Sequence, residues 1–266
     1  MAVLPRADSD LQARLQESVQ KLGLQQLVTE HKLAVSLLDL STPGDEHYAG
    51  VNDRQMMYAA SLPKIGILLA AFQAIREGKL PLTLALDASL TRMIRQSSNR
   101  DASRVIQRLG YEFIARTLSN PRYRLYDPNE GGGIWVGKAY GPSGWRRHVE
   151  FWRPEPISGE WHASDTLQVV RFFWLLSRGE LVNAAYSAVM KGILSNPDTS
   201  EYFIEPLHAA GVRNIYRKSG TYADTHCDAV LVEHEHKRYI AVAMVSDANG
   251  PTILPRLIQE LHRLIM

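Results

Sequence analysis

Three β-rich runs constrain the fold more than any other feature, because one lies near the start of the chain and two near its end. Lys32–Leu40 (KLAVSLLDL) is a strand, followed by a Ser41-Thr42-Pro43-Gly44-Asp45 turn and a returning strand over Glu46–Val51. Cys227–His234 and Tyr239–Val245 are separated only by the polar Glu235-His236-Lys237-Arg238, a hairpin signal. Val212–Lys218 adds a strand that leads into Ser219-Gly220-Thr221. Strands from both ends that enclose helices imply one antiparallel sheet flanked by helices, with an inserted helical block, an α/β (α+β) class. The expected division is 1–78 with 207–266 for the sheet unit and 79–206 for the helical unit, the latter holding a long omega-type loop at about 120–162.

The helices follow from apolar spacing. Asp8–Leu27 carries Leu11, Leu15, Val19 and Leu22 on one face. Leu86–Gln96, Asn99–Leu109, Tyr111–Leu118, Ser164–Ser177, Ala184–Leu194 and Ile253–Ile265 are the others, with Gly110 and Gly179 as stops. At 266 residues and 45% hydrophobic, the chain can bury a large core. A net charge of +2 gives no argument for nucleic acid. The single Cys227 excludes an internal disulfide and a cysteine-rich metal site, and is expected to be a small core residue. His234 and His236 alternate along a strand end, but no carboxylate or cysteine pattern completes a ligand set, so a solvated hairpin tip is expected and no metal or cofactor. No apolar run is long enough to span a bilayer. Met1–Leu15 lacks the apolar core of a signal peptide, which leaves a cytoplasmic protein or an exported one whose leader has been removed. A monomer is expected.

Chemistry concentrates first at Ser61-Leu62-Pro63-Lys64, followed by the apolar run Ile65–Phe72. The pattern reads as a helix start, with Ser61 at the N-cap or first turn, Pro63 early in the helix and Glu77-Gly78 at its end. Residues three apart share a helix face, which sets Lys64 beside Ser61. A serine hydroxyl needs a base to take its proton, and a desolvated lysine can be that base. Ser97-Ser98-Asn99 stands between two helical segments, and Lys218-Ser219-Gly220 ends the strand beginning at Val212.

Taken in order, Ser61-x-x-Lys64, Ser97-x-Asn99 and Lys218-Ser219-Gly220 resemble the motif set of class A β-lactamases and their penicillin-binding relatives. The resemblance covers nearly the whole chain. It implies that Ser61 is the nucleophile toward a strained lactam or acyl-D-alanyl carbonyl, and that Lys64 accepts its proton. It implies further that Ser97 relays a proton to the leaving nitrogen and that Asn99 binds the substrate amide and braces Lys64. Lys218 and Ser219 would hold the substrate carboxylate, and Gly220 would leave room beside the strand edge. The backbone N–H groups of Ser61 and Thr221 would form the oxyanion hole.

Two departures stand out. The middle motif reads Ser-Ser-Asn, where the family aspartate mainly supports local structure. The family's Glu-x-x-x-Asn element, whose glutamate activates the deacylating water, has no full counterpart: Glu130 is followed four residues later by Ile134. Glu130 is either the water-activating base or a solvated loop carboxylate. Asp127 is a second candidate or a turn residue before Pro128. Lys138 either reaches the site or is solvated. Trp135, Tyr140, Trp145, Phe151, Trp152 and Trp161 are expected to pack the long loop down, with one open to the pocket. Tyr222 would shape the cleft, and His226 would either touch substrate or serve the structure. The expected activity is a serine β-lactamase. The alternatives are a D,D-peptidase or esterase-like acyl hydrolase, or a slowly deacylating binder of β-lactams or cell-wall fragments.

Overall fold

The structure, a computed structural model, describes residues 4–5, 7–141 and 151–266. Helix α1 (Ser9–Lys21) is capped by the Asp8 carboxylate, which accepts the Leu11 N–H. It stops before Gly23, whose φ of 73° breaks the expected longer helix, and a short α2 (Gln25–Thr29) follows. Strands β1 (Leu33–Asp39), β2 (His47–Val51) and β3 (Met57–Tyr58) lead to α3 (Lys64–Arg76). The helical block continues with α4 (Leu84–Arg95), α5 (Asn99–Leu109) and α6 (Tyr111–Leu118). The long loop then forms short strands: β4 (Tyr126–Asp127), β5 (Gly132–Gly133), β6 (Trp135–Val136) and β7 (His162–Ser164). Next come α7 (Thr166–Ser177), α8 (Ala184–Leu194) and α9 (Ile204–Ala209), then β8 (Asn214–Tyr222), β9 (Thr225–His234), β10 (Lys237–Ser246) and α10 (Gly250–Ile265).

The main sheet has the order β2-β1-β10-β9-β8 and is antiparallel throughout, so strands from the two ends of the chain meet at β1–β10. Its residues alternate between two cores, as the period of a strand requires. Leu33, Val35 and Leu37 of β1 join α1 and α10 on one face, while Ala34 and Leu38 join α3 and α7 on the other. Both faces are covered, which is why β1 and β10 read as continuous apolar runs rather than alternating ones. Helix α3 is apolar all round and runs through the helical block, with Ile65 to Ala71 fully buried. Among the described residues, no helix is long and apolar enough to cross a membrane.

Strand β8 is an edge strand, and register divides its side chains. Lys218 and Gly220 lie opposite Ala229 and Cys227, on the face toward α3. Arg217 lies on the other face, where its guanidinium pairs with Asp228 at 2.8 Å. The strand was expected to end at Lys218. Instead it runs to Tyr222, because the whole motif stays paired with β9 through Thr225.

The aromatic residues of the long loop do pack it down: Trp135 stacks on Trp152 at 5.2 Å, Trp152 on Tyr111 at 5.9 Å, and Phe151 meets Trp161 edge-on at 5.2 Å. Trp145 lies outside the described residues. His234 and His236 sit at the β9–β10 turn, and among the described residues no group of three or more possible metal ligands occurs. Cys227 is fully buried, and burial pushes its thiol up out of reactive range.

Candidate active site

Ser61 was expected at the N-cap or first turn of a helix, and it stands just outside one. Helix α3 begins at Lys64, with Pro63 as its N-cap, and Ser61 sits in the tight turn before it. That turn is forced by Ala60, whose φ of 47° is unusual for a residue with a Cβ. Leu62 N–H donates to Ala59 carbonyl and Lys64 N–H to Ser61 carbonyl, which winds the chain tightly enough to set Ser61 over the first helical turn.

Strand β8 passes directly against this turn. A Cβ on Gly220 would come within 2.4 Å of the Ala59 carbonyl and 3.0 Å of the Ser61 nitrogen. Only glycine permits that approach, which leaves the Ser61 N–H beside the strand edge that continues to Thr221.

Lys64 is 0% exposed and Lys218 is 2% exposed. Lys64 Nζ lies 2.9 Å from Ser61 Oγ, 2.6 Å from the Ser97 carbonyl oxygen and 2.8 Å from Asn99 Oδ1. Burial, with the Lys218 charge adding to it, holds the Lys64 amine well below the ordinary lysine range. A neutral amine has two N–H groups and one lone pair, and this cage can receive it as well as the ammonium. In the neutral form, the Ser97 carbonyl oxygen and Asn99 Oδ1 would accept the two N–H groups and leave the lone pair toward the Ser61 hydroxyl.

Ser97 reaches the cage because its backbone is left-handed, with a φ of 55°. Its Oγ stands 3.4 Å from Lys64 Nζ and accepts from Lys218 Nζ at 3.1 Å. Lys218 also donates to the Ser219 carbonyl, and burial followed by the Arg217 charge pushes it down to about 7. Ser98 caps α5, accepting from Asp101 N–H and donating to Asp101 Oδ2 at 2.7 Å, while Arg92 clamps the same carboxylate at 2.8 Å. The serine in place of the family aspartate thus keeps the turn rigid by borrowing the carboxylate of Asp101.

The structure brings Ser61, Lys64, Ser97, Asn99 and Lys218 into one hydrogen-bonded set, with Ser219, Gly220 and Thr221 along its strand wall. It does not join Glu130 to them. Glu130 sits on a short 3-10 turn, its side chain 45% exposed and ion-paired with Arg124, while Arg54 holds its carbonyl. The cause is local: three glycines with positive φ follow it and turn the chain back through β5 instead of presenting the carboxylate. Asp127 is a turn residue, accepting the Asn129 N–H. Lys138 lies over Trp161, 5.9 Å from the ring centroid.

The loop sends a different group to Lys64. The buried Tyr140 ring has its centroid 4.6 Å from Lys64 Nζ and stacks on His162 at 3.9 Å. Periodicity could not single out this contact, because Tyr140 is one aromatic among several in an irregular stretch. His226 binds Tyr202, and Tyr202 reaches Thr221 Oγ1 at 2.9 Å, a brace behind the strand wall. Tyr222 is 68% exposed and meets Tyr58 edge-on at 6.0 Å, forming an aromatic rim.

The sequence pattern of the Beta-lactamase enzyme family matches residues 14–119 and 155–266. No curated protein matches the chain. Among solved structures, PBP-A superposes with a TM-score of 0.70 at 20% identity, covering 98% of each chain. A β-lactamase from Sphaerobacter thermophilus superposes with a TM-score of 0.68 at 13% identity over 95% of each chain. The TLA-3 extended-spectrum β-lactamase gives 0.70 at 11% identity, covering 97% of this chain and 99% of that one. At such identities these likenesses bear on the fold alone.

Proposed function

The chain belongs to the β-lactamase enzyme family, and from that premise we propose that it is a serine acyl hydrolase, acylated at Ser61 by a β-lactam or an acyl-D-alanyl substrate. The observation that carries this reading is the cage around Lys64, whose Nζ lies 2.9 Å from the Ser61 oxygen with two further acceptors on its other sides. Lys64 takes the Ser61 proton as Oγ attacks the carbonyl carbon. The carbonyl π electrons move onto oxygen, which the Ser61 and Thr221 N–H groups receive. The C–N bond then breaks, and the leaving nitrogen takes a proton from Ser97, which is resupplied from the lysine side. Lys218 and Ser219 offer the positive, hydrogen-bonding wall for a substrate carboxylate.

Release of the acyl group needs a water-activating base. Among the described residues no carboxylate bonds to Ser61 or Lys64, and Glu130 is turned to Arg124. This favours a second reading within the same chemistry: an acyl-enzyme that persists with β-lactams, as in a D,D-peptidase or a covalent sensor. A PBP-A variant has been solved as an acyl-enzyme complex with penicillin G.

The test is intact-protein mass spectrometry over time with a penicillin and a cephalosporin. The expected result is an adduct that forms, remains for many minutes, and is missing in Ser61→Ala. An adduct that decays within seconds would support a true β-lactamase with a base supplied from elsewhere. Absence of any adduct on folded protein would overturn the reading.

A further inference from the structure

Proton transfer from Ser61 converts the Lys64 amine into an ammonium on a side chain that is itself 0% exposed, so neighbouring groups must stabilise that charge. The polar cage contributes the Ser97 carbonyl and Asn99 Oδ1. From β8, Lys218 opposes the charge, with Arg217 behind it. From β7, burial holds His162 down to about 3, so it stays neutral and adds no second positive charge. From the long loop, the face of Tyr140 stands 4.6 Å from ring centroid to Lys64 Nζ.

We propose that the Tyr140 ring is the electrostatic partner of Lys64 in acylation, its electron-rich face stabilising the ammonium that forms when Lys64 takes the Ser61 proton. The inference rests on the acyl-hydrolase reading above. A ring within about 6 Å of an ammonium attracts it, and the attraction is strongest where both are desolvated. Tyr140 is almost completely buried, and so is Lys64.

The ring is also held in place. His162 stacks on it at an interplanar angle of 6°, and Ser103 of α5 donates to its carbonyl oxygen. The backbone before it is fixed by the Gly137 N–H, which donates to the Trp161 carbonyl at 2.7 Å. The phenol oxygen is not what matters here: it has no hydrogen-bond partner among the described residues, and neither does either ring nitrogen of His162. The useful part of Tyr140 is therefore its face. Tyr140 acts through Lys64 and is a positioning residue. It lies in residues 120–154, the segment the family pattern passes over.

The experiment compares the wild-type chain with Tyr140→Leu, Tyr140→Met and Tyr140→Phe. Titration of Lys64 is followed by NMR of isotope-labelled lysine side chains, and the rate of acylation by a penicillin is measured across pH. Leucine and methionine keep the site apolar but remove the π face, so the Lys64 titration should fall by about one pH unit. The weaker base should acylate about tenfold more slowly on its plateau, with the acid limb of the rate profile moved to lower pH by the same interval. Phenylalanine keeps the face and should retain both properties. Unchanged titration in a folded Leu or Met variant would overturn the inference, and so would a Phe variant that loses as much as Leu. Should the wild-type chain form no adduct with any β-lactam, the acyl-hydrolase reading fails by itself, while the lysine titration still decides the role of Tyr140.

Discussion

Lys64 and Lys218 converge on one hydroxyl: Ser97 Oγ stands 3.4 Å from the first amine and 3.1 Å from the second. Two buried lysines on one serine are costly to hold charged together, and both are driven toward the neutral form. In the proposed mechanism this geometry would let Ser97 pass a proton between two amines that are both driven toward the neutral form.

Lys218 should leave a signature in stability against pH. Its folded value of about 7 lies below the ordinary 10.5, so between these the unfolded chain binds a proton that the folded chain does not. The contribution of Lys218 to stability therefore rises with pH through that window and is lowest beneath it. Lys218→Met should melt higher than wild type at pH 6.5, by about 1–2 kcal/mol, while losing acylation. The gap should close toward pH 10. Thermal melts that stay parallel across this range would refute the assignment.

Asn99 supplies one of the two acceptors that orient the Lys64 amine. A hydrogen bond to a group that becomes charged is worth about 1.5–3 kcal/mol, so Asn99→Leu should slow acylation about 10–100-fold. Stopped-flow measurement with a chromogenic cephalosporin would check it, and a rate within twofold of wild type would count against the cage.

Glu130→Gln tests the carboxylate that the sequence made a candidate base. Its pairing with Arg124 on an exposed turn predicts little change, with adduct formation and decay both within about twofold of wild type. Loss of adduct decay in this variant would restore Glu130 as the base.

Arg217 and Asp228 form a buried pair beneath the strand wall, and Arg217 also donates to the Thr199 and Glu201 carbonyls. Removing one partner leaves a buried charge alone, so Arg217→Met should cost about 3–5 kcal/mol in urea unfolding. The double variant Arg217→Met with Asp228→Leu should recover much of that loss. A single variant as stable as wild type would show the pair to be dispensable.

Most of this architecture was legible in the chain. The strands at both ends announced themselves by composition, and their apolar runs match a sheet covered on both faces. The Ser61–Lys64 pairing followed from helical spacing, although the true helix starts three residues later than Ser61 because Ala60 takes a left-handed conformation. The continuation of β8 through Lys218-Ser219-Gly220 was not legible, because two small residues carry no strand signal and only pairing with β9 reveals it. The role of the long loop was least legible. Glu130 was chosen by residue type, whereas the group that reaches Lys64 is an aromatic face whose placement depends on stacking with His162, far along the loop.

The segment that carries Tyr140 falls between the two blocks matching the family pattern, while Ser61, Lys64 and Lys218 lie within them. The residues proposed to make the covalent bond and the residue proposed to tune their surroundings thus lie in separate stretches of the chain. On the proposed reading, exchanging the loop while leaving the rest untouched would reset how fast the bond forms, because it would change the ring that faces Lys64.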